Sequence, residues 1–294
     1  MSSIPSPARW DSSVHTIQLA GRDAKRFLHG QSSQAIELAA PGSCLATCLI
    51  SPTARMRGLA LVLVEPQGLE LVLLSGDATA IHQALDRVLF PADQVELGAP
   101  QSANLVRFSG AAAEPLGDGL WLQPGVDLGA GADQPALLLR HGAAMPGWLE
   151  SLTELTPEQA ELQRIRQGFP AAPSEANDDT NPFELGLAPW VSLNKGCYVG
   201  QETLAKLATY DGVKQQLRHW CCAGGSQPTP GSALTTGGGE RAGVIRSCMA
   251  SDDGFEGLAL VRRNALDQST LLAEGSVSLS ISTPPAFVAP PTRA

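Results

Sequence analysis

The most unusual stretch of this sequence reads Asn194-Lys-Gly-Cys-Tyr-Val-Gly-Gln-Glu-Thr203. Leu204 and Leu207 follow at helical spacing, which predicts a helix that begins after Gly200. Cys197 therefore lies just before a helix N-terminus and close to Lys195, and a helix start stabilises a nearby anion by roughly 0.3–1 kcal/mol. We predict a reactive thiolate at Cys197. The alternative is a tight turn whose cysteine only fills space.

Two segments nearer the N-terminus share one pattern of strand, Gly-containing turn and amphipathic helix, at 16–28 and 69–89. In each segment an aspartate, Asp23 or Asp77, stands where it could cap the helix. The two segments are separated by apolar runs that read as two further strands, 44–50 and 59–64. Strands that alternate with single helices in this way predict α+β units of ferredoxin-like type.

A capping box predicts the start of another helix. Thr156 and Gln159 have the required spacing, Leu155 can pack onto the first turn, and Gly168 marks the helix end.

The pattern changes after Lys214 to short alternating strands separated by Gly-rich turns. The strands are expected at 216–222, 242–248, 257–261 and 277–281. This spacing predicts a small antiparallel β-barrel. Four prolines follow Ser282, so we expect the tail to be frayed.

Composition sets limits on the function. Of the 294 residues, 43% are apolar and 17% are charged, which is enough apolar material for a globular core. The net charge of −9 argues against broad binding to a phosphate backbone, so no direct contact with nucleic acid is expected.

No apolar run reaches the roughly 20 residues of a membrane helix. Residues 1–14 also lack a signal-peptide core, and we expect a cytoplasmic protein that does not engage a membrane.

The six cysteines do not form a metal-binding pattern, because the sequence has neither CxxC nor HxxxH. Cys44 and Cys48 lie in one apolar strand and are interpreted as buried, inert thiols. Cys221 and Cys222 are adjacent, so on a strand they point to opposite faces. No metal site is predicted.

Several motifs together resemble one known family. Lys195-Gly-Cys-Tyr-Val-Gly-Gln-Glu202 is similar to the KGCYxGQE signature of the YgfZ family of folate-binding proteins, relatives of the glycine-cleavage T-protein (aminomethyltransferase). Further matches occur in the family's order at Gly21-Arg-Asp-Ala-Lys-Arg-Phe-Leu-His-Gly-Gln31, Arg164-Ile-Arg-Gln-Gly-Phe-Pro170, Asn181-Pro-Phe-Glu184 and Gly243-Val-Ile-Arg-Ser247. The resemblance covers residues 15 to about 265.

The resemblance implies an α+β, three-lobed T-protein-like fold. Two interleaved ferredoxin-like lobes would be followed by the C-terminal antiparallel barrel. The implied division is 1–48 with 150–212 for the first lobe, 49–149 for the second, and 213–294 for the barrel and tail.

The resemblance also implies a function: a tetrahydrofolate-binding accessory protein that supports assembly or repair of iron–sulfur enzymes, including tRNA-modifying ones. Its partners would be a reduced folate and those client enzymes, and we expect a monomer. The family's cysteine, here Cys197 with Lys195 beside it, would be the reactive group, although the family has no agreed reaction. The alternative is a tetrahydrofolate-dependent aminomethyltransferase or other C1 transferase.

Candidate folate-binding residues follow from ligand chemistry and from the matched motifs. A carboxylate suits the N–H edge of a pterin, and Glu184 is the candidate. Arginine suits the anionic glutamate tail, and aromatic rings suit stacking. The candidates for these two roles, together with two signature residues, are Arg164, Arg57, Tyr198, Trp190, Gln201 and Glu202.

Two departures from the family's pattern bear on the alternative. After Gln31 the family commonly has a Thr-Asn-Asp-like turn, but this sequence has Ser32-Ser-Gln-Ala35 and lacks the acidic residue. A nearby Asp assists chemistry at the folate nitrogen in the T-protein, so aminomethyl transfer is disfavoured here. The usual Gly-Arg after the second strand reads Ala54-Arg55.

Overall fold

The computed structural model describes residues 5–112, 114, 120–123 and 135–291. Its first sheet contains nine strands within these residues: β1 Ala8–Ala20, β2 Cys44–Ile50, β3 Met56–Glu65, β4 Gly68–Gly76, β5 Glu96–Leu97, β6 Gln101–Ser109, β7 Leu120–Gln123, β8 Ala136–Leu139 and β9 Thr153–Glu154. The strand order is β2-β3-β4-β1-β6-β8-β7, and β5 and β9 also pair with β1. Strands from both predicted α+β lobes thus join one sheet. The lobe boundaries themselves stay a prediction.

Strand β1 is longer than the sequence pattern indicated. It begins at Ala8 rather than Thr16, and it pairs with β4 on one side and β6 on the other. Ala8, Trp10 and Val14 are buried along this extension, so its alternating pattern belongs to the core.

Five helices in the described residues accompany the strands: α1 Ala24–Gln31, α2 Ala78–Asp86, α3 Gly147–Glu150, α4 Pro157–Gln167 and α5 Gln201–Thr209. Helices α1 and α2 pack on one face of the first sheet, where Phe27 and Ile81 join the apolar side chains of the strands. The opposite face packs against Trp190, Tyr198 and Leu204. Because both faces are covered, β3 is buried almost without interruption.

The predicted helix caps have different outcomes. Ala80 N donates to Asp77 Oδ1 at 3.0 Å, which confirms that cap. The prediction for Asp23 is wrong: its Oδ2 accepts a hydrogen bond from Gln94 N instead, at 3.0 Å, and caps no helix amide. A distant loop segment therefore takes the carboxylate.

The capping box of α4 is confirmed. Gln159 N donates to Thr156 Oγ1 at 3.2 Å, and Thr156 N donates to Gln159 Oε1 at 2.9 Å. Leu155 packs near Ala160, and Gly168 ends the helix with φ +78°.

A second sheet forms the C-terminal barrel. Its strands are β10 Gln215–Cys222, β11 Ala233–Thr235, β12 Arg241–Ile245, β13 Met249–Ser251, β14 Gly254–Arg262, β15 Thr270–Leu272 and β16 Ser278–Ser282. Pairing between β10 and β14 closes six of them around an apolar core that includes Trp220, while β13 pairs with β14 outside the closed ring. The predicted antiparallel barrel is confirmed.

The expectation of a frayed tail is wrong for residues 283–291. Ala286 N donates to Gln167 O at 2.8 Å, and Val288 N donates to Gly186 O at 3.0 Å. The ring of Phe287 also lies under the Arg218 guanidinium at 4.9 Å. Proline does not prevent these contacts, because the amides that bind belong to the residues between the prolines. Residues 292–294 lie outside the described part of the chain.

Candidate functional site

The signature loop 194–200 is fastened to the C-terminal end of α1. His29 Nε2 lies 2.7 Å from Lys195 O, and Lys195 Nζ donates to His29 O. Val199 N donates to Gly30 O at 3.1 Å. The loop is therefore held by both a side chain and the backbone of one helix end.

The predicted helix after Gly200 is confirmed as α5, with Gly200 at its N-cap. Gly200 has φ +81°, and a Cβ there would lie 2.7 Å from Ile50 Cδ1 and from Ser51 O. Glycine is thus required both by the left-handed backbone and by the close approach of β2. Four residues before the helix, Cys197 is exposed to solvent. Its reactivity stays a prediction.

The Lys195 side chain is half-buried. Its Nζ lies 4.6 Å from the centroid of the Tyr198 ring, in cation–π geometry. Burial lowers the pKa of Lys195 to about 7, opposed only in part by the charge of Glu37. Tyr198 is itself buried, which raises the pKa of its hydroxyl, and Cys48 adds to this rise. At neutral pH Lys195 is therefore partly a neutral amine.

We expect Lys195 to titrate well apart from the other three lysines of the chain, Lys25, Lys206 and Lys214. Reductive ¹³C-methylation followed by NMR should show one dimethylamine resonance with a midpoint near pH 7. The internal control is Lys206, whose pKa is raised by its hydrogen bond to Glu202. Between pH 7 and the ordinary lysine pKa of 10.5, the folded protein binds fewer protons at Lys195 than the unfolded chain does. The contribution of Lys195 to the free energy of unfolding therefore rises with pH across that window. Four lysine midpoints all above pH 9.5 would contradict the placement of Lys195.

Glu184 lies at the wall of a cavity of about 730 Å³ that is also lined by Arg55, Lys214 and Arg262. Its Oε2 accepts a hydrogen bond from Asn181 N at 3.0 Å and lies 3.9 Å from Arg55 Nη1. Burial raises the pKa of Glu184, and the Asn181 amide and the Arg55 charge oppose that rise. The arrangement is a buried carboxylate next to a cation at the edge of a space large enough for a small molecule.

The departure at Ala54-Arg55 has a structural cost that the sequence comparison alone did not indicate. Ala54 is fully buried and has φ +59°, in the left-handed region that favours glycine. The turn nevertheless directs Arg55 toward the cavity, where its Nη1 donates to Asp179 O at 2.8 Å. Arg55 is a cavity residue that the site prediction missed; its only sequence signal was the Gly-Arg position of the family.

Two predicted ligand residues, Arg164 and Trp190, are occupied by protein partners. Arg164 binds Glu161 at 2.7 Å and Glu175 Oε2 at 3.0 Å, so two carboxylates already bind its guanidinium. Trp190 is fully buried, with the Phe169 ring centroid 5.9 Å away, and has no exposed face for stacking. These residues lie outside the Glu184 cavity.

The remaining predicted residues are at the surface or in local contacts. Arg57 forms an exposed ion pair with Asp178. Gln201 Nε2 donates to Leu193 O at 3.4 Å, which ties the helix start to the preceding loop. Glu202 is exposed and pairs with Lys206 at 2.7 Å, an interaction that lowers the pKa of Glu202.

The turn Ser32–Ala35, which replaces the family's acidic turn, is built into the protein. Ser33 Oγ donates to Trp190 O at 2.6 Å and accepts from Cys48 N at 2.9 Å. Gln34 Nε2 donates to Pro189 O at 3.0 Å. The polar side chains of this turn therefore join α1, β2 and residues 188–190.

The prediction of a buried thiol is confirmed for Cys48 and only in part for Cys44. Cys48 is fully buried and Cys44 is half-buried, and burial raises the pKa of both thiols, that of Cys44 to about 12. Each helix within the described ranges is too short or too polar to span a lipid bilayer.

Comparison with known proteins gives two similar sequences and one similar structure, while no family model matches. The chain is 30% identical over 278 residues to a chloroplastic, transferase-like protein of Arabidopsis thaliana, At1g60990, covering 85% of this chain and 63% of that protein. It is 30% identical over 115 residues to the tRNA-modifying protein YgfZ of Aliivibrio fischeri, covering 37% of this chain and 36% of that protein. The chain thus spans less than two thirds of the length of either relative.

The structural match is to the glycine cleavage system aminomethyltransferase T from Bartonella henselae. The TM-score is 0.79 over 95% of this chain and 86% of that one, at 17% identity, which establishes the fold. The T-protein-like α+β fold expected from the motifs is thereby confirmed. The KGCYxGQE segment in the loop before α5, the two similar sequences and the fold agree with one another and support the YgfZ family, which is related to the glycine-cleavage T-protein.

Proposed function

We propose that this protein binds a reduced folate, such as tetrahydrofolate, in the Glu184 cavity. In the cytoplasm it would support the assembly or repair of iron–sulfur enzymes, including enzymes that modify tRNA. Cys197 would be the reactive group. The fold of an aminomethyltransferase and a relative named as a tRNA-modifying protein support the general class. The Glu184 cavity and the residues that line it support a reduced folate as the ligand.

The observation that carries the proposal is the placement of Glu184. A reduced pterin presents adjacent N–H donors, and a carboxylate accepts them in a bidentate arrangement. Glu184 is 5% exposed, yet it lines a cavity of about 730 Å³. Asn181 N binds Oε2 and the Gln215 side chain also hydrogen-bonds the carboxylate, so in this proposal the acceptor positions that remain on Glu184 take part in pterin recognition.

The glutamate tail of a folate needs cations. Since Arg164 is held by Glu161 and Glu175, the cations of the Glu184 cavity take this role instead. Lys214 and Arg262 line the same space as Glu184, whereas Arg55 lies 3.9 Å from the Glu184 carboxylate and therefore at the pterin end. An anionic tail at this position would gain charge-assisted hydrogen bonds without breaking the α4 ion pairs.

The C1-transferase alternative receives less support. Residues 32–35 contain no carboxylate, and Ser33 and Gln34 are committed to hydrogen bonds within the protein. No general base for chemistry at a folate nitrogen is therefore available in this turn. Binding without aminomethyl transfer fits these residues better.

Glu184→Gln is expected to weaken tetrahydrofolate binding at least tenfold, since the amide replaces one acceptor by a donor and removes the charge. Anaerobic calorimetric titration at pH 7 measures the effect. The matched control is Glu202→Gln, which changes an exposed carboxylate that pairs with Lys206 outside the cavity and should leave affinity within twofold. Equal affinities for wild type and Glu184→Gln would contradict the placement of the pterin.

The role of Cys197 has its own test. In cells that lack this protein, a Cys197→Ser version should fail to restore the product of an iron–sulfur tRNA-modifying enzyme, measured by mass spectrometry of tRNA nucleosides. Cys221→Ser is the control, because Cys221 is also exposed but lies on the barrel strand β10. Full restoration by Cys197→Ser would separate the thiol from the function while leaving the folate proposal intact.

A further inference from the structure

The signature loop closes the C-terminal end of α1. The last turn of a helix leaves carbonyl oxygens without partners inside the helix. In α1, His29 O accepts from Lys195 Nζ, and Gly30 O accepts from Val199 N at 3.1 Å. Cys197, which is exposed, lies midway along the chain between these two attachment points. The last turn of α1 therefore sets the position of the thiol.

The His29 ring makes a further attachment, and its two partners fix the position of its proton. Nε2 lies 2.7 Å from Lys195 O, a carbonyl oxygen that can only accept, so Nε2 carries the hydrogen. Nδ1 accepts from Glu37 N at 3.1 Å, a backbone amide that can only donate. Both hydrogen bonds form together only in the neutral ring that has its proton on Nε2.

A protonated ring does not fit this arrangement. An imidazolium carries a hydrogen on both nitrogens, so the new Nδ1–H of His29 would point at the amide hydrogen of Glu37. The ring would have to turn out of its place, and Lys195 O would lose its donor. Histidine ordinarily changes its charge between pH 5 and 8, so this conflict arises under mildly acidic conditions.

Charged side chains approach the His29 ring from several segments. They come from the signature loop, from the residues after α1 and from α1 itself: Lys195, Glu37, Lys25 and Arg26. Strand β4 beneath α1 contains one charged residue, Glu70, which binds Arg140. Burial lowers the pKa of Lys195 to about 7, so Lys195 changes its charge in the same pH range as an ordinary histidine. A test must therefore separate His29 from Lys195.

We propose that His29 is the residue that positions Cys197. Its neutral ring holds the signature loop against the end of α1, and protonation of the ring releases the loop. Cys197 then loses its fixed place before α5. This inference rests on the proposed function, because the position of the loop matters to the cell only if the Cys197 thiol does.

The tautomer is read from the wild-type protein. The ring ¹⁵N shifts of His29, assigned through its backbone resonances, should show a protonated Nε2 and an unprotonated Nδ1 at pH 8. A long-range ¹H–¹⁵N correlation spectrum measures both shifts. The opposite tautomer, or a charged ring at this pH, would overturn the proposal without recourse to any variant.

Release of the loop is measured by hydrogen exchange of the Val199 amide, which binds Gly30 O. Corrected for the intrinsic effect of pH, its protection should fall at least tenfold from pH 8 to pH 5, with the midpoint of the His29 titration. In His29→Gln, whose amide can still donate to Lys195 O but does not titrate, the fall should be at most threefold. His141→Gln changes an exposed histidine after β8 and should retain the full effect. An equal fall in wild type and His29→Gln, or none in the wild type, contradicts release by His29.

A cellular assay separates this inference from the proposed function. In cells that lack the protein, His29→Gln should restore at least five times more of the modified tRNA nucleoside than His29→Phe, whose ring makes neither hydrogen bond. Equal restoration by these two variants, in cells where Cys197→Ser fails, would refute the positioning role and leave the proposed function intact. Full restoration by Cys197→Ser would refute the role of the thiol, and hydrogen exchange would still decide whether His29 holds the loop.

Discussion

Replacing Arg164 by methionine is expected to destabilise the protein by about 3–5 kcal/mol, the usual cost of leaving a buried charge without its partner. Glu175 is fully buried, and its Oε2 lies 3.0 Å from Arg164 Nη1. Arg164 Nη1 also donates to Phe169 O, which holds the chain after α4 in place. Urea unfolding monitored by circular dichroism measures the loss.

Arg57→Met is the matched control for Arg164→Met. Both arginines were predicted to bind the folate tail, but Arg57 pairs with Asp178 at the surface, where both side chains are more than half exposed. The control should cost no more than about 1 kcal/mol. The double variant Arg164→Met with Glu175→Gln should recover part of the stability, since it removes the uncompensated charge. A single Arg164→Met loss below 1 kcal/mol would contradict the structural role assigned to this pair.

Replacing Gly200 by alanine is expected to cost about 2–4 kcal/mol, from the left-handed backbone together with a steric clash. The added Cβ would lie 2.7 Å from Ser51 O, a backbone atom that cannot turn away. The start of α5 and the signature loop before it would have to move off β2. Unfolding in urea reports the stability, and hydrogen exchange of residues 194–204 reports the local displacement.

Gly196→Ala isolates the backbone contribution. Gly196 has φ +96°, also in the left-handed region, but nothing lies within 4 Å of its added Cβ. Its cost should therefore be about 1–2 kcal/mol, the strain alone. If the two alanine variants lost equal stability, the close contact between Gly200 and β2 would be wrong.

Local patterns predicted the parts of the fold whose interactions are local. The capping box of α4 needs only Thr156 and Gln159, three residues apart, and both hydrogen bonds form. Strand β2 has the bounds that its apolar run indicated, Cys44–Ile50. Asp23 could not be assigned in this way, because the amide that it binds belongs to Gln94, 71 residues away.

The candidate site depends on contacts between distant residues, and sequence pattern does not encode these. Glu184 was chosen for its chemistry, yet Arg55 joins it only because the turn after β2 brings the two together. Arg164 had the right charge for a folate tail, but Glu175 approaches it in the fold.

Aromatic residues illustrate the same difficulty. Trp190 and Tyr198 are both predicted stacking residues, and both are buried on the covered face of the first sheet. An aromatic ring that fills a core and one that faces a ligand look identical in sequence. The rings that do line a cavity are those of Trp10 and Phe169. Trp10 lies in a strand extension that no motif singled out, and Phe169 lies in the matched segment 164–170 but was not predicted to stack.

The most direct test of the proposed function is the crystal structure of the complex with 5-formyltetrahydrofolate, a stable reduced folate. The account predicts a pterin whose N–H edge faces the Glu184 carboxylate, with the glutamate tail toward Lys214 and Arg262. A pterin bound anywhere else, with the Glu184 cavity unchanged, would contradict it.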